Sequence, residues 1–196
     1  MKKIFGGCVA LLALTGLPLC AGNLLTNGGF ETGDFTSWVT GGNFGSTQVV
    51  SGPFYVYSGA EEGNFYATLG PVGADATLTQ TVTDSVGSYT FSFWLNAVAD
   101  NPSDFSASWN GTKVLGLINP DTGNAWTQFS YSVVGTGSDT VSFAFADSPA
   151  YIALDNITVA ANSATPEPST FGLLGGALVA LAVRRRRRRG QITPLS

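Results

Sequence analysis

Alternation of large apolar and small polar residues runs through the middle of this chain and restricts its fold more than any other feature. Tyr89, Phe91 and Phe93 alternate with Thr90 and a serine, and two later segments follow the same pattern. A period of two places successive side chains on opposite faces of a β-strand. Clusters of Gly, Asn, Asp, Ser and Pro separate these segments, as turns do. Roughly nine strands with these spacings predict an all-β chain folded as a single β-sandwich.

The charges are divided unevenly along the chain. Eight of the nine basic residues lie near the two ends, and Lys113 is the only cation between residues 22 and 165. That span holds twelve carboxylates, so one cation and twelve anions give it a net charge of −11. A domain this acidic repels nucleic acid and anionic lipid headgroups. Clustered carboxylates also suit a divalent cation, which reduces their mutual repulsion.

The N-terminal residues have the composition of a secretory signal peptide. Lys2 and Lys3 precede an apolar stretch over residues 4–17, and Pro18 comes before small residues around Ala21. We therefore predict a signal peptide over residues 1–21. Both cysteines lie within it, so the mature chain is predicted to contain no disulfide.

The C-terminal residues form a second processing signal. Pro166, Glu167 and Pro168 are followed by an apolar segment, residues 171–183. Six consecutive cations follow, and they would hold the tail in the cytoplasm: Arg184, Arg185, Arg186, Arg187, Arg188 and Arg189. Thirteen apolar residues in a helix span about 20 Å, less than the roughly 30 Å hydrocarbon core, which favours a processing signal. An ordinary membrane helix and a basic tail for nucleic acid are the alternatives.

This order of parts resembles the PEP-CTERM sorting signal of Gram-negative bacteria that make exopolysaccharide. The resemblance implies export by the general secretion machinery and a transient C-terminal membrane helix. It also implies cleavage by an exosortase near residues 166–168, after which the protein reaches the cell surface or extracellular matrix. The chain then divides into a signal peptide (1–21), a β-sandwich domain (22–161), a linker (162–168), the sorting signal (169–189) and a cytoplasmic tail (190–196).

A second resemblance begins at residues 23–33, NLLTNGGFETG. This segment is similar to the opening of carbohydrate-binding modules with a galactose-binding-like jelly roll, and residues 151–159 are similar to their closing strand. The resemblance implies that Glu31 and Asp155 help bind a structural Ca²⁺, with Gly29 and Thr32 as neighbouring carbonyl ligands. The alternative is that Glu31 caps a turn and Asp155 accepts backbone hydrogen bonds.

Aromatic residues suggest a polysaccharide-binding surface, because Trp and Tyr rings stack on the apolar faces of sugars. Tyr55 and Tyr57 lie in a segment bounded by Gly, Pro and Ser, and Trp109 precedes an Asn-Gly turn. We predict that these three form the carbohydrate-binding surface. The alternative is that they anchor loops, and the family resemblance places Trp38 and Trp126 in the core.

Catalysis has little support in the sequence. The chain has no histidine, which excludes Ser-His-Asp triads and the usual zinc sites. Glu61 and Glu62 are adjacent, and in a strand they would point to opposite faces. We therefore predict a non-enzyme: an exported, exosortase-processed protein that binds extracellular polysaccharide. A structural or adhesive matrix protein without a defined sugar ligand is the first alternative, and a glycoside-active enzyme is the second.

Overall fold

The computed structural model describes residues 22–71, 73–147 and 150–162. The predicted signal peptide and the sorting signal lie outside the described residues. Within them, no helix is long and apolar enough to cross a bilayer. The strands are β1 (Val39–Gly42), β2 (Gln48–Ser51), β3 (Phe65–Leu69), β4 (Ala76–Thr83), β5 (Gly87–Asn96), β6 (Ser103–Trp109), β7 (Thr112–Ile118), β8 (Thr127–Gly135), β9 (Ser138–Asp147) and β10 (Ile152–Ala161).

These strands form two five-stranded sheets whose paired strands are all antiparallel. The first sheet has the order β1-β4-β9-β6-β7, and the second has the order β2-β3-β10-β5-β8. The prediction of an all-β sandwich is confirmed. The sequence pattern indicated roughly nine strands because β1 and β2 have four residues each, too few for alternation to be visible.

Aromatic side chains fill the space between the sheets. Phe91 and Phe93 of β5 meet Phe143 of β9, and the rings of Phe93 and Phe143 lie edge to face with centroids 5.2 Å apart. All three side chains are fully buried. Burying a large apolar side chain contributes about 1.5–3 kcal/mol, so these alternating residues explain why the two sheets pack together.

The last strand contains a β-bulge that decides where its polar residues lie. The register of β10 against β5 shifts between Asp155 and Thr158, and Asn156 adopts a left-handed φ of 45°. Before the bulge Leu154 faces the core, and after it Ile157 does, so the alternation changes phase. Asp155 is thereby buried on the side of the second sheet that is covered by the chain between β2 and β3.

Candidate functional site

The chain between β2 and β3 folds over the outer face of the second sheet and forms a small second core. Tyr57, Tyr66 and Ala153 are buried there. Phe54 and Tyr57 exchange backbone hydrogen bonds of 3.1 and 3.0 Å, which close a tight turn. The phenol of Tyr57 donates to the carbonyl of Tyr151. This loop, residues 52–64, is therefore fixed to the sheet by both packing and hydrogen bonds.

Tyr55 lies at the tip of this turn and differs from its neighbours in exposure. Its side chain is 52% exposed, whereas Tyr57 is 2% exposed. The Tyr55 ring lies 6.1 Å from the ring of Tyr57 and 5.7 Å from that of Tyr151. Its φ of 54° lies in the left-handed region of backbone conformation, which non-glycine residues seldom adopt. Tyr55 is therefore an exposed ring held on a base of two other tyrosines.

Trp109 does not join this surface, which corrects the sequence prediction. Its side chain is 6% exposed, its ring packs 6.3 Å from Phe91, and its indole N–H donates to the carbonyl of Val134 at 2.9 Å. Trp109 belongs to β6 of the first sheet, and Tyr57 is buried beneath Tyr55. The three residues do not form one surface because two of them are part of the hydrophobic interior.

Glu31 and Asp155 both approach Gly29. A Cβ placed on Gly29 would lie 3.8 Å from Asp155 Oδ1 and 3.8 Å from Glu31 Cγ. Glu31 Oε1 accepts the backbone N–H groups of Asn64 and Phe65, both at 2.9 Å. Asp155 Oδ2 accepts the backbone N–H of Glu61 at 2.8 Å, so both acidic side chains organise the loop and its exit into β3.

A cavity of about 220 Å³ adjoins these residues. It is lined by Gly29, Glu31, Glu62, Gly63 and Asn156. The side-chain amide of Asn156 donates to Glu61 Oε2 at 3.0 Å and to Glu62 Oε2 at 2.9 Å. The two glutamates therefore converge on one amide. The expectation that they point to opposite faces is wrong, because residues 61–64 form a bend instead of a strand.

Thr32 lies apart from the cavity lining. Its hydroxyl donates to Asp34 Oδ1 at 2.7 Å, and its backbone N–H donates to Asn27 Oδ1 at 3.2 Å. Thr32 thus stabilises the turn that follows Glu31. Of the four predicted calcium ligands, Glu31, Asp155 and Gly29 are brought together by the fold.

The electrostatics of this acidic site favour a cation. Burial, together with the nearby charge of Glu61, raises the pKa of Asp155 to about 7, against the lowering effect of backbone hydrogen bonds from residues 61, 62 and 156. Among the described residues the only basic side chain is Lys113, on the first sheet. In that part of the chain no group of three acidic side chains has the spacing to hold one metal ion. A metal here would need two carboxylates and backbone carbonyls, which is the donor set that Ca²⁺ accepts.

A larger cavity, of about 400 Å³, lies at the end of the sandwich where β9 finishes. Its polar lining comes from Asp75, Asn101, Ser103, Asp104, Asn119 and Asp147. Asp147 is 1% exposed, and burial followed by the charge of Asp100 raises its pKa to about 6. Sequence reasoning missed this site because its residues come from four separate turns and strand ends, and only their turn composition was visible.

Comparison with known proteins agrees with both resemblances. Residues 164–188 match the PEP-CTERM protein-sorting motif, which confirms the prediction for this segment. No curated protein is detectably similar in sequence. Among solved structures, TmCBM61 in complex with β-1,4-galactotriose superposes with a TM-score of 0.60 at 19% identity, covering 72% of this chain and 99% of the module.

A second similar structure is the K3 cleaved adhesin domain of Lys-gingipain from Porphyromonas gingivalis W83. Its TM-score is 0.51 at 18% identity, covering 71% of this chain and 98% of that domain. At these identities the likeness concerns the fold. The chain therefore carries a PEP-CTERM sorting motif at residues 164–188, and its described residues have the β-sandwich fold of carbohydrate-binding modules.

Proposed function

We propose that this protein is exported, processed by an exosortase, and binds extracellular polysaccharide without catalysing a reaction on it. The single observation that carries the binding part is the exposed ring of Tyr55, packed against the buried Tyr57 and the half-buried Tyr151. The PEP-CTERM motif and the fold of the galactotriose-bound module support the location and the ligand class.

Tyr55 has the physical properties of a sugar-stacking platform. A phenol ring covers the apolar face of a pyranose, and its hydroxyl remains available to sugar hydroxyls. The ring is fixed before binding because the Phe54–Tyr57 turn is closed by two backbone hydrogen bonds. A fixed platform loses less conformational entropy when the ligand binds, which improves affinity.

Export and sorting form the second part of the proposal. The signal peptide, residues 1–21, directs the chain to the secretion machinery, and residues 169–189 hold it transiently in the membrane. Exosortase then cleaves near Pro166, Glu167 and Pro168, and residues 22–161 are delivered to the surface or matrix. The matched sorting motif supports this sequence of events.

A structural Ca²⁺ is the third part. Glu31 and Asp155 would hold it, with the backbone carbonyl at Gly29 as a further ligand. The site fits such an ion because Glu31 and Asp155 both approach Gly29, the adjoining cavity is also lined by Glu62, and no basic side chain of the described residues lines it. Bound Ca²⁺ would supply positive charge to the site and link the start of the chain to β10.

An adhesive matrix protein without a defined sugar ligand is the alternative. Two exposed apolar side chains favour it: Val86 is 83% exposed and Val134 is 65% exposed, and they lie near each other because Gly87 pairs with Gly135. The fold likeness to an adhesin domain also favours it. Single exposed apolar residues are common, however, so this patch is weaker support than the organised ring of Tyr55.

The test is binding of the full chain, purified in mild detergent, to an array of neutral and charged polysaccharides. We expect saturable binding that falls at least about tenfold in Tyr55→Ala and is retained in Tyr55→Phe, which keeps the ring. Val86→Ala is the matched control, since it removes an exposed side chain elsewhere. Absence of binding by a folded protein would favour the adhesive alternative, and release of sugar products would contradict the non-catalytic assignment.

A further inference from the structure

The larger cavity contains a buried carboxylate whose hydrogen bonding is incomplete. Asp147 lines the cavity and is 1% exposed, and its Oδ1 is buried without a hydrogen-bond partner among the described residues. Asp100 Oδ2 is also buried and without such a partner. A buried oxygen that accepts no hydrogen bond is costly, and such groups are rare in native proteins unless a ligand or water completes them.

The other charges around the cavity leave it strongly negative. Asp75 and Asp104 also belong to its lining. Burial and the charge of Asp75 raise the pKa of Asp104, and Lys113 is the cation that acts in the opposite direction. Three carboxylates in the lining, with Asp100 close to Asp147, therefore face a single nearby ammonium group.

The size of this cavity suits a ligand larger than a single metal ion. In the part of the chain that the structure describes, no three acidic side chains are grouped closely enough to hold one ion. A volume of about 400 Å³ is instead within the range of pockets that hold small organic ligands, such as one or two sugar rings. The side-chain amides of Asn101 and Asn119 add uncharged groups that suit sugar hydroxyls, whereas the hydroxyl of Ser103 already donates to the carbonyl of Asp100 at 2.7 Å.

Tyr55 connects this cavity with the stacking platform. The Tyr55 ring lies 5.7 Å from the ring of Tyr151, which packs against Gly70. The next residue, Pro71, lines the cavity and accepts the backbone N–H of Asp147 at 3.0 Å. In keeping with this proximity, burial raises the pKa of the Tyr55 phenol, and the charges of Asp100 and Asp147 raise it as well. A cation beside a tyrosine ring is also favoured by the ring's quadrupole. The aromatic platform and the acidic cavity can therefore contact one oligosaccharide.

We propose that the cavity, together with Tyr55, recognises a polysaccharide whose sugars carry free amino groups, with an ammonium group paired to Asp147. This inference rests on the proposed polysaccharide binding and names the substrate class. An ammonium group supplies the hydrogen-bond donors that Asp147 Oδ1 lacks, and when protonated it carries the positive charge that pairs with the carboxylate. A neutral or N-acetylated sugar supplies no positive charge.

The test compares oligomers of glucosamine with the same oligomers after N-acetylation, using the full chain and isothermal titration. We expect the amine-bearing oligomers to bind at least about tenfold more tightly. Asp147→Asn should abolish this preference while leaving the weaker binding to N-acetylated oligomers unchanged. Asp84→Asn is the control, because Asp84 bonds to Gly137 at the opposite end of β9 and its replacement should leave the preference intact.

Three results would overturn the inference. Equal affinity for both oligomers would show that the cavity does not select amines, although polysaccharide binding would stand. Equal loss in Asp147→Asn and Asp84→Asn would indicate general attraction to an acidic protein. If calcium competed with the glucosamine oligomers and Asp147→Asn lost calcium binding, the cavity would be a metal site. If no glycan of any kind binds, the proposed function itself fails.

Discussion

The side-chain carboxylate of Asp155 accepts the backbone N–H of Glu61 at 2.8 Å, across 94 residues of sequence. The same oxygen accepts the N–H of Glu62 at 3.3 Å, so one buried group on β10 fixes the loop of residues 52–64. Tyr55 lies on that loop. The acidic site and the aromatic platform are therefore parts of one structural unit, and changes in the charge of Asp155 are expected to affect both.

The buried carboxyls predict an unusual pH dependence of stability. Burial raises the pKa of Asp155 to about 7 and that of Asp147 to about 6, above the value near 4 of an unfolded chain. A group with a raised folded pKa stabilises the fold while protonated and loses this contribution as the pH rises through that pKa. In EDTA, the melting temperature should therefore fall as the pH rises from about 4 to about 7 and level off above that.

The control for this experiment is Asp155→Asn, which cannot titrate and should flatten the upper part of the profile. Asp139, whose pKa is lowered to about 2 by hydrogen bonds from Thr136 and Asn110 in spite of its burial, acts only in more acidic solution and does not enter this range. A melting temperature that rises from pH 5 to pH 8 in EDTA would contradict the assignment.

Calcium should reverse the loss of stability at neutral pH. Binding of an ion to the folded chain alone stabilises it, by about 2.7 kcal/mol at one hundred times the dissociation constant. Glu31→Gln should remove this response, because it removes a charge and keeps an oxygen that can accept the N–H groups of Asn64 and Phe65. Asp34→Asn, on the neighbouring turn, should retain it. Identical melting curves in calcium and EDTA, with no calcium by elemental analysis, would refute the site.

Substitution of Gly63 tests whether the cavity of about 220 Å³ depends on the close approach of the Gly63 backbone to the Glu31 carboxylate. Its φ is 75°, and a Cβ there would lie 2.3 Å from Glu31 Oε1. Gly63→Ala should destabilise the fold by about 1–3 kcal/mol and weaken the calcium response, because Glu31 must move. Gly111 has the same φ of 75° with no atom within 4 Å of its Cβ position. Gly111→Ala should therefore lower the free energy of unfolding only by the cost of the left-handed φ. If urea unfolding gave equal losses for the two variants, the contact with Glu31 would contribute nothing to the effect of Gly63→Ala.

Substitution of Trp109 tests whether this side chain acts in the hydrophobic core or in glycan binding. Trp109→Phe leaves the carbonyl of Val134 without its indole donor, so we expect a loss of about 1–3 kcal/mol in the free energy of unfolding. Glycan affinity should be unchanged, since the side chain is 6% exposed. Chemical denaturation and array binding measure the two effects separately. Weaker glycan binding without lower stability would restore Trp109 to the binding surface.

The sorting motif predicts a defined processing event. Replacing Pro166, Glu167 and Pro168 with alanine should leave the uncleaved chain in the membrane fraction of cells that contain an exosortase. Alanine at Ser163 and Thr165 is the control and should not prevent release. Mass spectrometry of the released protein would locate the new C-terminus, and release of the triple-alanine variant at the normal rate would refute exosortase processing.

The sequence predicted the long strands because each of them has one face in the core. Tyr89, Phe91 and Phe93 alternate without interruption, and all three are buried as expected. Trp109 could not be assigned from sequence, since it stands at the end of a strand beside a turn, where a core residue and a surface residue look the same. The exposed tip at Tyr55 was visible only as a Gly- and Pro-bounded segment.

The polar sites depended on information that no local pattern contains. Glu61 and Glu62 converge because the chain bends there and Asn156, on a distant strand, holds both. Asp100 and Asp147 are brought together where β9 ends, and their separation in sequence gives no sign of it. Glu31 and Asp155 were singled out only through the family resemblance.

The position of β10 also determines how the fold bears mechanical load. This strand lies between β3 and β5 and is hydrogen-bonded to both, and Leu24 near the start of the described chain donates to the carbonyl of Val159 at 2.8 Å. Consider a force applied at Asn162 and directed along the axis of β10. Two antiparallel ladders would then be loaded in shear, with many hydrogen bonds resisting at once. Such a force must break many hydrogen bonds together, so the sandwich resists it better than a force that separates the strands one hydrogen bond at a time.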